Sequence, residues 1–99
     1  MFARVVRYQV DPERCDEALA AFEEAAKAIG DIDGITGGYV LVDGDSGRIV
    51  TITLWEDRAK LEASEVRASR LRQEALRSVG GDIESVERLR VASGIANEP

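Results

Sequence analysis

From Phe2 to Val10, "FARVVRYQV", β-branched and aromatic side chains alternate in part with polar ones, which predicts a strand. The period then changes. Cys15, Leu19, Phe22, Ala26 and Ile29 follow one another in steps of four, three, four and three, the spacing of one helical stripe. Asp11 suits the cap of that helix, Pro12 its first position and Glu13 its positive end. Gly30 is a stop. Asp31 to Gly38 is turn-rich and leads into a short second strand, Tyr39 to Asp43. Asp43 to Gly47 reads as a hairpin loop, and Arg48 to Glu56 as the third strand. Asp57 caps a second helix, expected to run unbroken to about Val79 with Leu61, Ala68, Leu71, Ala75 and Val79 as its apolar stripe. Gly80 and Gly81 end it. The last strand is expected over Asp82 to Ala92, which closes a single domain at 1–92 and leaves 93–99 as a tail.

The order β-α-β-β-α-β predicts an α+β, ferredoxin-like architecture: a four-stranded antiparallel sheet with both helices on one face. Two helices cover only one face of a sheet. In the third strand, however, Ile49, Thr51, Thr53 and Trp55 point one way while Val50, Ile52 and Leu54 point the other. The second strand is apolar from Tyr39 to Val42. An antiparallel sheet with one wet face should alternate apolar and polar residues, and this one does not. An exposed apolar sheet face is normally a partner surface. The expected partner is a second copy of the chain, in a two-fold homodimer.

Composition narrows the chemistry. At 44% hydrophobic and 32% charged residues the chain is ordinary globular material. A net charge of -6 argues against nucleic acid or an anionic membrane as partner, because both need a basic face. No segment approaches the roughly 18–20 apolar residues of a membrane span, and the N-terminal residues lack the pattern of a signal peptide. The lone Cys15 allows no internal disulfide, so a reducing cytoplasm is the expected compartment. The absence of histidine removes Ser-His-Asp and Cys-His nucleophiles, His-ligated zinc and His-ligated haem. Chemistry here must come from carboxylates, Arg or Lys, Tyr, hydroxyls, or the substrate itself.

Two threonines beside a tryptophan are the most suggestive grouping. Thr51, Thr53 and Trp55 share the face expected to lie under the helices, where an aromatic wall with a few hydroxyls suits a small, flat, mostly apolar ligand. Tyr8 and Tyr39 add apolar bodies with polar tips. Arg7, a charge within an apolar strand, is expected to reach the sheet edge, pair with a carboxylate or hold an acidic ligand. Arg67, Arg70, Arg72 and Arg77 are expected on a solvated, salt-bridged helix face with Glu62, Glu65 and Glu74. Cys15 reads as a small core residue.

A β-α-β-β-α-β chain of this size, with a third strand ending "LWED" before a helix opening "AKLEASE", resembles the dimeric α+β barrel superfamily. More narrowly, it is similar to the antibiotic-biosynthesis monooxygenase-like domain. The resemblance implies a dimeric α+β barrel, two sheets closed face to face, with a ligand cavity between sheet and helices in each protomer. It implies a small-molecule-binding protein, either a cofactor-independent monooxygenase acting on an aromatic or polyketide-like substrate or a non-catalytic ligand-binding or stress-related dimer. A lyase or isomerase is a third reading. Trp55, Thr51, Thr53, Tyr39 and Tyr8 are the expected substrate-binding residues, of which the resemblance itself carries Trp55, and no metal or cofactor is expected. The sequence departs from the family in two ways. Thr51 stands where oxygenase members carry an asparagine before the tryptophan, and Leu61 lies where anthrone-oxidising members carry a tyrosine. The only asparagine is Asn97, and there is no histidine, so haem degradation of the family's kind does not fit.

Overall fold

The computed structural model describes residues 1–95 of the chain. Strand β1 spans Phe2–Gln9, helix α1 Cys15–Ile29, strand β2 Ile35–Asp43 and strand β3 Arg48–Trp55. Helix α2 spans Arg58–Ala63, helix α3 Glu65–Val79 and strand β4 Asp82–Arg90. All neighbouring strands pair antiparallel in the order β2-β3-β1-β4, the ferredoxin-like arrangement expected. Of the expected tail 93–99, residues 96–99 lie outside the described residues.

The punctuation works through the expected side chains. Asp11 accepts a hydrogen bond from the Glu13 amide at 3.0 Å, above a single 3-10 turn at Pro12–Arg14 that leads into α1. Asp57 accepts from the Lys60 amide at 2.8 Å and starts α2. Gly80 ends α3 in the left-handed region (φ 70°), where a side chain would be strained.

Strands β1, β3 and β4 end one or two residues earlier than expected, and two elements differ by more. Strand β2 begins at Ile35 rather than Tyr39, because pairing with β3 draws the glycines into the ladder, opposing Gly37 to Leu54 and Gly38 to Thr53 across an irregularity after Ile35. The second helix is broken at Ser64 into α2 and α3. There the Leu61 carbonyl accepts from the Ser64 hydroxyl at 2.6 Å and from Arg4 Nη2 at 2.9 Å. Both donors compete for a carbonyl that would otherwise take part in the regular helical ladder.

Packing forms two apolar clusters on the helix-covered face. The larger joins Val6, Tyr8, Val10 and Ile49 of the sheet side to Phe22 and Ala18 of α1 and to Ala75, Leu76 and Val79 of α3. Tyr8 and Phe22 rings meet at 4.5 Å, tilted by 53°. The smaller cluster is Trp55, Leu61 and Ile29, flanked by Phe2, Ile32, Ile35 and Leu71. On the opposite face, Tyr39, Leu41 and Leu89 are exposed and Val50, Ile52 and Leu54 are half-buried.

Candidate functional site

Strand register builds the floor of a cavity between the two clusters. Thr51 of β3 lies between Val40 of β2 and Val6 of β1. One step along, Thr53 lies between Gly38 and Arg4. Cross-strand neighbours share a face, so these two rows form one patch under the helices. Phe22, Ala25, Ala26 and Ile29 of α1 line the same space, and Arg72 enters it from α3. Two alanines on that part of α1 leave room that larger side chains would fill. Gly38 gives no side chain to the wall, and a Cβ there would stand 2.6 Å from the Ile52 carbonyl oxygen. The cavity measures about 410 Å³ and its lining is mostly apolar, a size that accommodates a small organic ligand.

A hydroxyl pair and two arginines supply polar groups to the lining. The Tyr8 and Thr51 hydroxyls are 3.3 Å apart. Tyr8 is 0% exposed, and burial holds its phenol above the usual tyrosine range, partly offset by the Thr51 hydrogen bond and the nearby Arg72 and Arg4 charges. The group is therefore neutral at pH 7 and able to donate. Arg4 is 1% exposed. Its Nη2 bonds the Leu61 carbonyl and the Ser64 hydroxyl and pairs with Glu65 at 3.0 Å. Burial lowers the Arg4 pKa, and the Glu65 carboxylate opposes that shift. Glu65 also receives Arg88 Nη2 at 3.0 Å. Hydrogen bonding from Arg88 leads the causes that bring Glu65 down to about 2, against the opposing effect of burial.

Trp55 is placed differently from Thr51 and Thr53. It is 0% exposed and does not line the cavity. Its indole Nε1 donates to Thr53 Oγ1 at 3.0 Å, and the Arg4 guanidinium carbon lies 5.4 Å from its ring centroid. The indole is a core plug that carries Arg4 on its face, a cation–π arrangement. Tyr39 borders the cavity through β2, yet it is 65% exposed and pairs with Ile52 in the row facing away from the helices. The structure thus brings Tyr8, Thr51 and Thr53 together at the cavity, seats Trp55 behind Thr53, and sets the Tyr39 side chain towards the open face. Arg7 is exposed and pairs with Glu87.

Two cavity residues escaped the sequence reading. Arg72 is not on a solvated face: it is 6% exposed and lies on the buried stripe of α3 with Ala68, Ala75, Leu76 and Val79. The signal was its spacing, four residues after Ala68 and three before Ala75. Arg4 shares strand parity with Val6 and Tyr8, which puts it on the helix-covered side, whereas Arg7 has the opposite parity. Among the described residues no group of three or more Cys, Asp or Glu is placed to hold a metal ion.

The family model for antibiotic biosynthesis monooxygenase matches residues 1–75. The chain belongs to that family. No curated protein matches it in sequence. Among solved structures, the antibiotic-biosynthesis monooxygenase candidate of Deinococcus radiodurans superposes with a TM-score of 0.78 at 14% identity, covering 100% of both chains. SnoaB of Streptomyces nogalater, a cofactor-independent oxygenase, gives 0.76 at 19% identity over 97% of each chain. A dimeric ferredoxin-like protein from an uncultured marine organism gives 0.73 at 12% identity, over 98% of this chain and 100% of that one. At these identities the likeness is one of fold. Within the family fold, the cavity of this chain lies between sheet and helices and is framed by Arg4, Tyr8, Thr51 and Arg72. No described helix is long and apolar enough to cross a membrane.

Proposed function

We propose that the chain is a small-molecule-binding protein whose sheet cavity takes a flat aromatic or polyketide-like ligand. The observation that carries this reading is the mostly apolar cavity of about 410 Å³ with a Tyr8–Thr51 hydroxyl pair in its lining. Apolar walls would cover the rings, while the hydroxyls would orient a ligand oxygen. Thr53 contributes to the floor, and Trp55 acts from behind it by holding Thr53 and Arg4. Oxygenation without a cofactor requires a substrate that forms a carbanion and passes an electron to O₂, with the protein binding it and stabilising charge. Membership of the family and the fold of SnoaB support that activity.

One observation favours the alternative of a non-catalytic binder. The cavity lining holds no carboxylate and no histidine, and its buried tyrosine is held protonated. A general base is therefore not supplied in the ordinary way. Titration with hydroxylated aromatics, read by Trp55 fluorescence, should saturate, and Thr51→Val should weaken it several-fold. Oxygen uptake with a compound that binds would establish the oxygenase. Saturable binding without uptake would establish the binder, and no saturable binding by any of them would remove the cavity reading.

The same proposal includes a homodimer through the open sheet face. Exposed Tyr39, Leu41 and Leu89 beside half-buried Val50, Ile52 and Leu54 form the apolar surface that a second sheet would cover. A structural neighbour is itself described as dimeric. Sedimentation of a monomer at micromolar concentration would remove it.

A further inference from the structure

The two buried arginines are not explained by a cavity for a neutral aromatic molecule. Arg4 Nε and Nη1 and Arg72 Nε are buried without any hydrogen-bond partner. Arg4 has one carboxylate partner, Glu65, and that contact uses Nη2. Arg72 has no ion pair among the described residues. Both residues line the cavity, and no Asp or Glu lines it with them. The Arg72 charge is close enough to disfavour that of Arg4. Buried charge without a counter-ion is costly, and leaving N–H donors unpaired adds to that cost. The chain as a whole carries a net charge of -6, so the positive charge of this cavity runs against the average of the molecule. A stable fold retains such a pair where something negative completes it.

We infer that the cavity binds an aromatic carboxylate, with its rings on the apolar α1 wall and its oxyanion between Arg4 and Arg72. A planar guanidinium is suited to two parallel N–H···O bonds with a carboxylate. The Tyr8 hydroxyl, paired with Thr51, is a neutral donor in the lining of the same cavity. This inference rests on the cavity reading above and adds the charge of the ligand. The apolar walls alone would make no distinction between an acid and its neutral isostere.

The test is isothermal titration of the intact protein at pH 7 with 2-naphthoate and with 2-naphthamide, which have the same shape and differ in charge. The acid should bind at least about tenfold more tightly than the amide, as expected for a charge-assisted bidentate contact. Arg72→Met should abolish that preference by weakening the acid far more than the amide, while Arg72→Lys should restore part of it. Circular dichroism and a cooperative denaturant transition show that the variant is folded. The preference should also shrink as salt is raised. Equal binding of acid and amide to the unmodified protein overturns the charge inference and leaves the cavity reading standing. A preference that survives Arg72→Met overturns the assignment to this residue pair. Binding of chloride or phosphate alone, with neither naphthyl compound, overturns both readings.

Discussion

On the helix-covered face of the sheet, Arg4, Tyr8, Thr51 and Thr53 are set among apolar side chains, and contacts within the chain hold them. Thr53 receives the Trp55 indole, Tyr8 meets Thr51, and Arg4 is carried by Leu61, Ser64 and Glu65. The opposite face presents Tyr39, Leu41, Val50, Ile52 and Leu54, with the exposed Arg7–Glu87 pair to one side. One strand, β3, supplies both surfaces by simple alternation. The difference shows how a small domain separates two tasks. Polar groups are useful where packing can fix their geometry, and apolar groups are tolerated in water only where a partner can cover them.

The comparison can be broken most severely at Trp55. Trp55→Ala should cost about 3–5 kcal/mol of unfolding free energy, because it empties a closed part of the core and removes the surface under Arg4. Denaturant unfolding would measure it. A loss below about 1 kcal/mol would mean that the indole is not a core plug.

Leu41→Lys tests the other face. It should leave the protomer folded and raise the dimer dissociation constant by roughly a hundredfold, since two-fold symmetry places the charge in the interface twice. Analytical ultracentrifugation would read it, with unchanged self-association the contrary result.

Glu65→Gln probes the support of Arg4 with a smaller effect. Glu65 titrates at about 2 in the fold against an ordinary 4.5. Its stabilisation is therefore complete above about 4.5 and is lost as pH falls towards 2. The substitution should cost about 1–2 kcal/mol at pH 7, after allowing for solvent screening of a partly exposed group. The difference from the unmodified protein should close on acidification. A pH-independent difference would place the effect elsewhere.

Tyr8→Phe should be the mildest change, within about 1 kcal/mol of stability, because the hydroxyl contact with Thr51 is long and the ring packing on Phe22 is kept. Its effect should be seen in ligand affinity. A large stability loss would mean that the hydroxyl pair belongs to the core and not to a site.

Local pattern determined the element order, the Asp11 and Asp57 caps, the Gly80 stop and the division of β3 into two faces. Each of these depends on neighbours in sequence or on a strand period of two. Tertiary structure alone decided the rest. Ser64 breaks the second helix because Arg4, sixty residues away in sequence, reaches its preceding turn. Gly37 and Gly38 became strand because β3 offered them a ladder. Trp55 lies behind Thr53 and not in the cavity wall, since two side chains on one strand face need not reach the same space once α2 packs against one of them. Arg4 and Arg72 had their parity and stripe written in the sequence. That they converge in one cavity required the register of β1 against β3 and the packing of α3 over both.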